Sequence, residues 1–326
     1  MTTFAPRVDT IPAEADIDRA PGLLEGAMSL ELSLELTPQT CSVEYWLGAV
    51  AQGTLHGLVR GGHRAETPVP DWMREPGPLR NALVEEFAFR SIAEEKATRA
   101  LSYLVLHAPD VATMEFFATQ LIDEARHSSV FRGHLLELGV PEEELAATVE
   151  RVAGADRAAV LDPLEEFGLK LGRDDADFIG GVIVLTVLVE GVLAPAAELS
   201  ERKWRLLDPA AAEIERAAGV DEIRHLSVGS SVVKQHLTAH PEDLPRLQEL
   251  IDRGRAMWAG LPVFDVILRR ERLFQEGMQQ LADVIGDYEI APGLRLLDTT
   301  PDDRLLMAAT WSQEMQDSRL AYMGLA

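Results

Sequence analysis

Apolar residues recur three and four positions apart along most of this chain, and no alternating run long enough for a pair of strands stands out. The pattern predicts helices at about 42–59, 78–107, 110–138, 141–153, 158–171, 175–202, 208–238, 241–259, 261–285 and 301–323. Pro68, Pro70, Pro76 and Pro78 mark the loop into the second helix, Asp110 is placed to cap the third, and Gly139 followed by Pro141 reads as a stop and restart. The expected class is all-α. Residues 1–37, with acidic residues and prolines ahead of the first helix, read as an irregular N-terminal arm, and 38–326 as one helical domain with a bundle at about 78–238. The helices from 241 to 326 would cover the bundle or form a dimer face.

One stretch raises a membrane question. Phe178 to Ala194 is apolar except for Thr186 and Glu190, short for a span, and preceded by Asp174, Asp175 and Asp177. A helix apolar all round is more often the centre of a large core, so the expectation is a buried helix and no membrane. The net charge of −24 argues against nucleic-acid binding, which needs a basic face. A single cysteine, Cys41, excludes an intrachain disulfide framework and a cysteine metal cluster, and the first residues lack a secretory pattern. A cytoplasmic location is expected.

Within the helical pattern one pentapeptide occurs twice, as Asp123-Glu124-Ala125-Arg126-His127 and Asp221-Glu222-Ile223-Arg224-His225. Three helical residues turn through about 300°, so Glu124 and His127 share a face, as do Glu222 and His225. A single Glu-x-x-His pair is commonly a solvated face. Two copies with matching Asp and Arg point to a shared metal site, provided that two further helices each add a lone glutamate. Glu94 is in phase with Leu83, Phe87, Ala97, Leu101 and Val105, whereas the alternative, Glu95, shares a side with Arg99 and Ser102. Glu190 lies inside Val-Ile-Val-Leu-Thr-Val-Leu-Val-Glu-Gly-Val-Leu, where an ionised carboxylate costs several kcal/mol unless it is neutralised, paired or bound to metal. The other reading is a protonated core glutamate.

The expected ligands are therefore Glu94, Glu124, His127, Glu190, Glu222 and His225. Four carboxylates balance two Fe²⁺ ions, and hard oxygen donors with one imidazole per metal suit iron or manganese. Asp123 is expected to accept from the ring of His225, and Asp221 from that of His127, with Arg126 and Arg224 compensating the aspartates. Glu198 and Glu201 read as solvated, His134 as a packed core residue, and His56, His63, His107, His236 and His240 as caps or solvated side chains. Thr98, Thr186 and Phe131 are candidates to line a pocket. Pro195 is expected to bend or widen its helix beside the metals.

The two Glu-x-x-His motifs with Glu94 and Glu190 resemble those of the ferritin-like di-iron carboxylate superfamily, over about 78–238. The resemblance implies a ferritin-like or ribonucleotide-reductase-like four-helix bundle with additional helices, two iron ions, O₂ as co-substrate, and a separate reductase or ferredoxin. A reductase small subunit usually has a tyrosine four residues after the first metal histidine, where this chain has Phe131. Multicomponent monooxygenases usually have a threonine where Ala194 stands, and p-aminobenzoate-type N-oxygenases a histidine where Ala218 stands. Acyl-carrier desaturases share the doubled motif. The whole-chain layout most resembles the valanimycin-type azoxy-forming N-oxygenases, implying nitrogen oxygenation of a small amine, hydroxylamine or hydrazine in natural-product biosynthesis. The alternatives are a desaturase or hydroxylase of carrier-bound acyl chains and, outside catalysis, a ferroxidase or iron-binding protein. A homodimer is compatible with all of them.

Overall fold

In the computed structural model, residues 36–50 and 58–326 are described. The expected arm therefore lies outside the described residues except for 36 and 37, as does His56. A short helix α1 (Val43–Ala49) is capped by the Ser42 hydroxyl, which accepts from Tyr45 N–H, and α2 (Asp71–Arg74) is a single turn. Helices α3 (Pro78–His107) and α4 (Val111–Glu137) then form a tight hairpin. Asp110 turns the corner, its carboxylate accepting from Thr113 N–H at 2.9 Å, and Gly139 (φ 85°) ends the hairpin.

The expected break between 153 and 158 is absent. Helix α5 (Leu145–Asp156) runs through a π segment, Arg157–Leu161, into α6 (Asp162–Leu169) and a second π segment, Lys170–Asp174. Pro163 cannot donate to the carbonyl four residues back, and the wider turn just before it keeps the rod continuous. The same device recurs in the apolar helix. There α7 (Phe178–Ile183) passes through the π segment Val184–Glu190 into α8 (Gly191–Trp204), which contains Pro195. Among the described residues this is the one rod long and apolar enough to cross a membrane, and most of it is buried inside the fold.

Helix α9 (Pro209–Ala239) returns against α8 to form the second hairpin. After it come α10 (Leu244–Gly260), α11 (Val263–Gln280), the single turn α12 (Ala282–Ile285), and a small antiparallel hairpin of β1 (Glu289–Ala291) and β2 (Leu294–Arg295) that the apolar pattern did not predict. The chain closes with α13 (Pro301–Met323), whose first turn is held by a Thr300/Asp303 capping box. Helix α11 packs on α3 and α13 on α8, so these helices cover the bundle.

The apolar core falls into two clusters, and their boundary positions the site. Along α3, Leu79 to Ala93 belong to one cluster and Leu101 and Leu104 to the other. Along α4 the order reverses, with Phe116 and Phe117 in the second cluster and Val130 to Leu135 in the first. Glu94 and the Glu124/His127 pair occupy the interval between them.

Close approach of α11 to the start of α3 depends on Gly277, where an added Cβ would lie 2.4 Å from Leu79 Cβ and 2.6 Å from its backbone nitrogen. Gly277→Ala is therefore expected to destabilise the fold by about 1–3 kcal/mol through overpacking. Urea denaturation checks it, and a variant as stable as the parent would show that the helices can separate freely.

Candidate metal centre

Six side chains from four helical rods meet at one level. Ligand atoms of Glu94, Glu124, His127 and Glu222 all lie within 4.8 Å of one another, and so do those of Glu124, Glu190, Glu222 and His225. Glu124 and Glu222 belong to both groups. The doubled motif anticipated one site built from both copies; that Glu124 and Glu222 are common to two four-residue groups was not anticipated. Glu190 is the last residue of the π segment, and such widened turns recur at functional sites because they re-aim a side chain.

Each imidazole is held from behind. His127 Nε2 lies 3.2 Å from Asp221 Oδ2, and His225 Nε2 lies 3.3 Å from Asp123 Oδ2, the crossed pairing expected from the motifs. With Nε2–H donating outward, both Nδ1 atoms face the carboxylates: His127 Nδ1 is 3.1 Å from Glu124 Oε2 and His225 Nδ1 is 3.2 Å from Glu124 Oε1. Arg126 donates to Asp221. Arg224 bridges both aspartates, reaching Asp221 Oδ1 at 2.9 Å as well as Asp123.

Two partners were not anticipated. Trp46 Nε1 donates to Asp123 Oδ1 at 3.0 Å, tying α1 to the centre across 77 positions of sequence. No local signal marks it. Gln120 donates its amide to Glu190 Oε1. It lies one helical turn before Glu124 and so shares its face, which is the signal that would have found it.

The protonation of these groups follows from burial among like charges. Burial and neighbouring carboxylates raise Glu94 and Glu190 well above the ordinary carboxylate range, and Glu222 is raised for the same reasons. Glu124 goes the other way, because the two imidazoles beside it outweigh burial. Burial and Arg126 oppose a charge on His127, yet Asp221 and Glu124 hold its pKa up to about 10. His225 is raised by Asp123, Glu124 and Glu222 against burial.

Four atoms decide whether a cation fits. Glu124 Oε1, Glu190 Oε2, Glu222 Oε2 and His225 Nδ1 are buried and make no hydrogen bond, the 3.2 Å contact between Glu124 Oε1 and His225 Nδ1 being poorly aligned. Buried polar atoms without partners are rare and costly. A pair of cations would satisfy all four, and the donor set, oxygen-rich with one imidazole per position, suits iron or manganese.

Proton linkage gives a testable consequence. Metal binding must displace protons from Glu94, Glu190, Glu222 and the two histidines, whose raised pKa values keep them protonated to higher pH than usual. Affinity should therefore rise with pH between 6 and 8, with protons released on binding. Calorimetric titration of metal in buffers of different ionisation heat measures this, and a signal independent of buffer would contradict it.

Glu95, the alternative to Glu94, is half-exposed on the Arg99 side, as helical phase predicted, and pairs with Arg99 (2.8 Å) and Arg132 (2.6 Å), away from the cluster. Several other expectations are corrected by the structure. Glu198 and Glu201 are not solvated; they turn inward and pair with Arg202 and Arg205, each at 2.6 Å. Thr98 bonds the Glu94 carbonyl, Phe131 packs on Phe87 with ring centroids 4.8 Å apart, and neither they nor Thr186 lines the cavity beside the site. His63 is buried rather than solvated. That cavity, of about 220 Å³, opens onto Glu94 and is walled by Ala97, Leu101, Leu164, Leu185 and Val189, with Lys203 and Arg270 further along.

No protein-family model matches the chain, and no curated protein matches it in sequence.

Proposed function

We propose that this chain is a ferritin-like, O₂-dependent non-haem di-iron oxygenase that takes electrons from a separate reductase or ferredoxin. The observation carrying the reading is the pair of four-residue groups sharing Glu124 and Glu222, beside an apolar cavity that Glu94 reaches. Iron held by Glu94, Glu124, His127, Glu190, Glu222 and His225 would supply O₂ reduction and oxygen transfer, and manganese fits the same donors. The protein's own contribution is positional. Asp123 and Asp221 keep Nδ1 of each histidine free to act as a donor, and Gln120 orients Glu190. The apolar walls exclude water from the substrate side of Glu94, and the Arg126/Arg224 pair offsets the aspartate charge behind the imidazoles.

The proposed reaction is oxygenation of nitrogen in a small, largely apolar substrate, with conversion of a hydrazine to an azoxy product as its most specific form. That choice rests on the resemblance to azoxy-forming N-oxygenases. One observation favours a second reading, desaturation or hydroxylation of an acyl chain: the cavity wall on α3 runs from Glu86 to Leu104, about 27 Å at 1.5 Å per residue. The net charge of −24 works against docking an acidic acyl carrier.

Single-turnover product analysis separates the readings. The iron-loaded protein is reduced, mixed with O₂, and offered amines, hydroxylamines, hydrazines or carrier-bound acyl chains. N-oxygenated product supports the proposal, and an altered acyl chain supports the second reading. Ferric iron accumulating with no substrate oxidised would contradict both and leave a ferroxidase.

A further inference from the structure

Two turns beyond His127 on α4, a second cluster of ligand-type side chains lies outside the centre described above. His63, from the loop between Leu58 and Arg64, meets His134 and Glu137 near the end of α4. One ligand atom from each lies within 4.8 Å of the other two. We propose that His63, His134 and Glu137 form a separate mononuclear site for a divalent first-row cation, with Zn²⁺ the best match to two imidazoles and one carboxylate.

Both imidazoles are arranged as donors. His134 Nε2 lies 3.0 Å from Asp208 Oδ2, and His63 Nδ1 lies 2.9 Å from the Arg64 carbonyl oxygen. An N–H donated outward on each ring leaves His134 Nδ1 and His63 Nε2 turned toward Glu137, which is the carboxylate–histidine–metal and carbonyl–histidine–metal pattern of zinc sites. His134 is fully buried, yet its Nδ1 makes no hydrogen bond; the Glu137 carboxylate Oε2 lies 3.9 Å away. A buried ring nitrogen aimed at a carboxylate and an imidazole without bonding either is accounted for by a cation between them. Glu137 Oε2 and His63 Nε2 are 2.6 Å apart, and the proton they share is what the cation would displace.

The backbone around the site is cut to bring the loop this close. A Cβ at Gly133 would sit 2.7 Å from the Arg60 carbonyl oxygen, and one at Gly61 would sit 2.5 Å from Glu137 Oε1. Gly62 takes φ 84°, a left-handed conformation, against the Val130 side chain. Glu137 remains 27% exposed, so solvent reaches the position where a fourth ligand, water, completes a tetrahedron. The cation would fasten the 58–64 loop to the end of α4 and, through Asp208, to α9, whose first turn Asp208 also caps.

The test is zinc uptake by the full chain, freed of metal with a chelator and titrated with Zn²⁺ against a chromophoric competitor. The wild-type chain is compared with His63→Ala and Glu137→Gln, the second retaining a hydrogen-bonding group should the first fold poorly. Each variant is expected to take up one equivalent fewer than the wild type, whatever the di-metal centre binds, while a Glu124→Ala/Glu222→Ala chain retains that equivalent. Co²⁺ in that last chain should give the intense visible bands of a four-coordinate site. Equal zinc uptake by the wild type, His63→Ala and Glu137→Gln would overturn the proposal and leave a hydrogen-bonded His–Glu pair. So would a Glu124→Ala/Glu222→Ala chain that binds none.

Discussion

Glu124→Ala and Glu222→Ala, made singly, are each expected to abolish binding of both metal ions at the main centre, whereas Glu94→Ala and Glu190→Ala should each lose one. The asymmetry comes from geometry, since Glu124 and Glu222 are the two residues common to both four-residue groups. Binding to the folded chain alone also raises stability, by about 4 kcal/mol when free metal exceeds its Kd a thousandfold. That gain should vanish in the Glu124 and Glu222 variants, as read by thermal unfolding with and without Fe²⁺. The four substitutions giving equal losses of iron would mean that these carboxylates are not shared.

The second large effect is expected at Asp123. This buried carboxylate receives Trp46 Nε1, the Arg224 guanidinium and His225 Nε2 together. Asp123→Ala leaves Arg224 paired with Asp221 alone and Trp46 Nε1 without its acceptor, and should cost about 1–3 kcal/mol of stability. The same change releases the ring of His225, and loss of such an outer partner typically weakens metal affinity by roughly 10–100-fold. Asp123→Asn keeps an acceptor for one neighbour but not the charge opposite Arg224, so it should fall between the two. Urea unfolding of the metal-free chain and competitive metal titration measure the two effects separately. An Asp123→Ala chain with undiminished affinity would remove Asp123 from the account of the centre.

How much of this was readable before the structure depended on the range of the interaction. Helical phase alone separated Glu94 from Glu95, because one lies in line with Phe87 and Leu101 and the other with Arg99. Glu190 stood out because it is the one charged residue between Phe178 and Ala197. The crossed Asp–His pairs followed from placing two identical motifs face to face. Trp46 could not be found this way, since its link to Asp123 spans 77 positions and α1 carries no motif of its own. The meeting of His63 with His134 is not readable in the sequence, because His63 sits in a loop, where no periodicity reports direction, and only folding brings it to α4. The π segment before Pro163 was hidden, as a proline signals a missing hydrogen bond but not whether the helix breaks or widens, whereas a bend or widening beside Pro195 was expected. Glu198 and Glu201 misled because charged neighbours suggest solvent, and here those neighbours, Arg202 and Arg205, are the partners.

The most direct test of the central claim is iron stoichiometry after anaerobic reconstitution of the metal-free chain with Fe²⁺ and removal of loosely bound metal. Two equivalents per chain are expected in the wild type and none at this centre in Glu124→Ala/Glu222→Ala. Neither iron nor manganese retained above trace by the wild-type chain would contradict the di-metal centre and the function built on it.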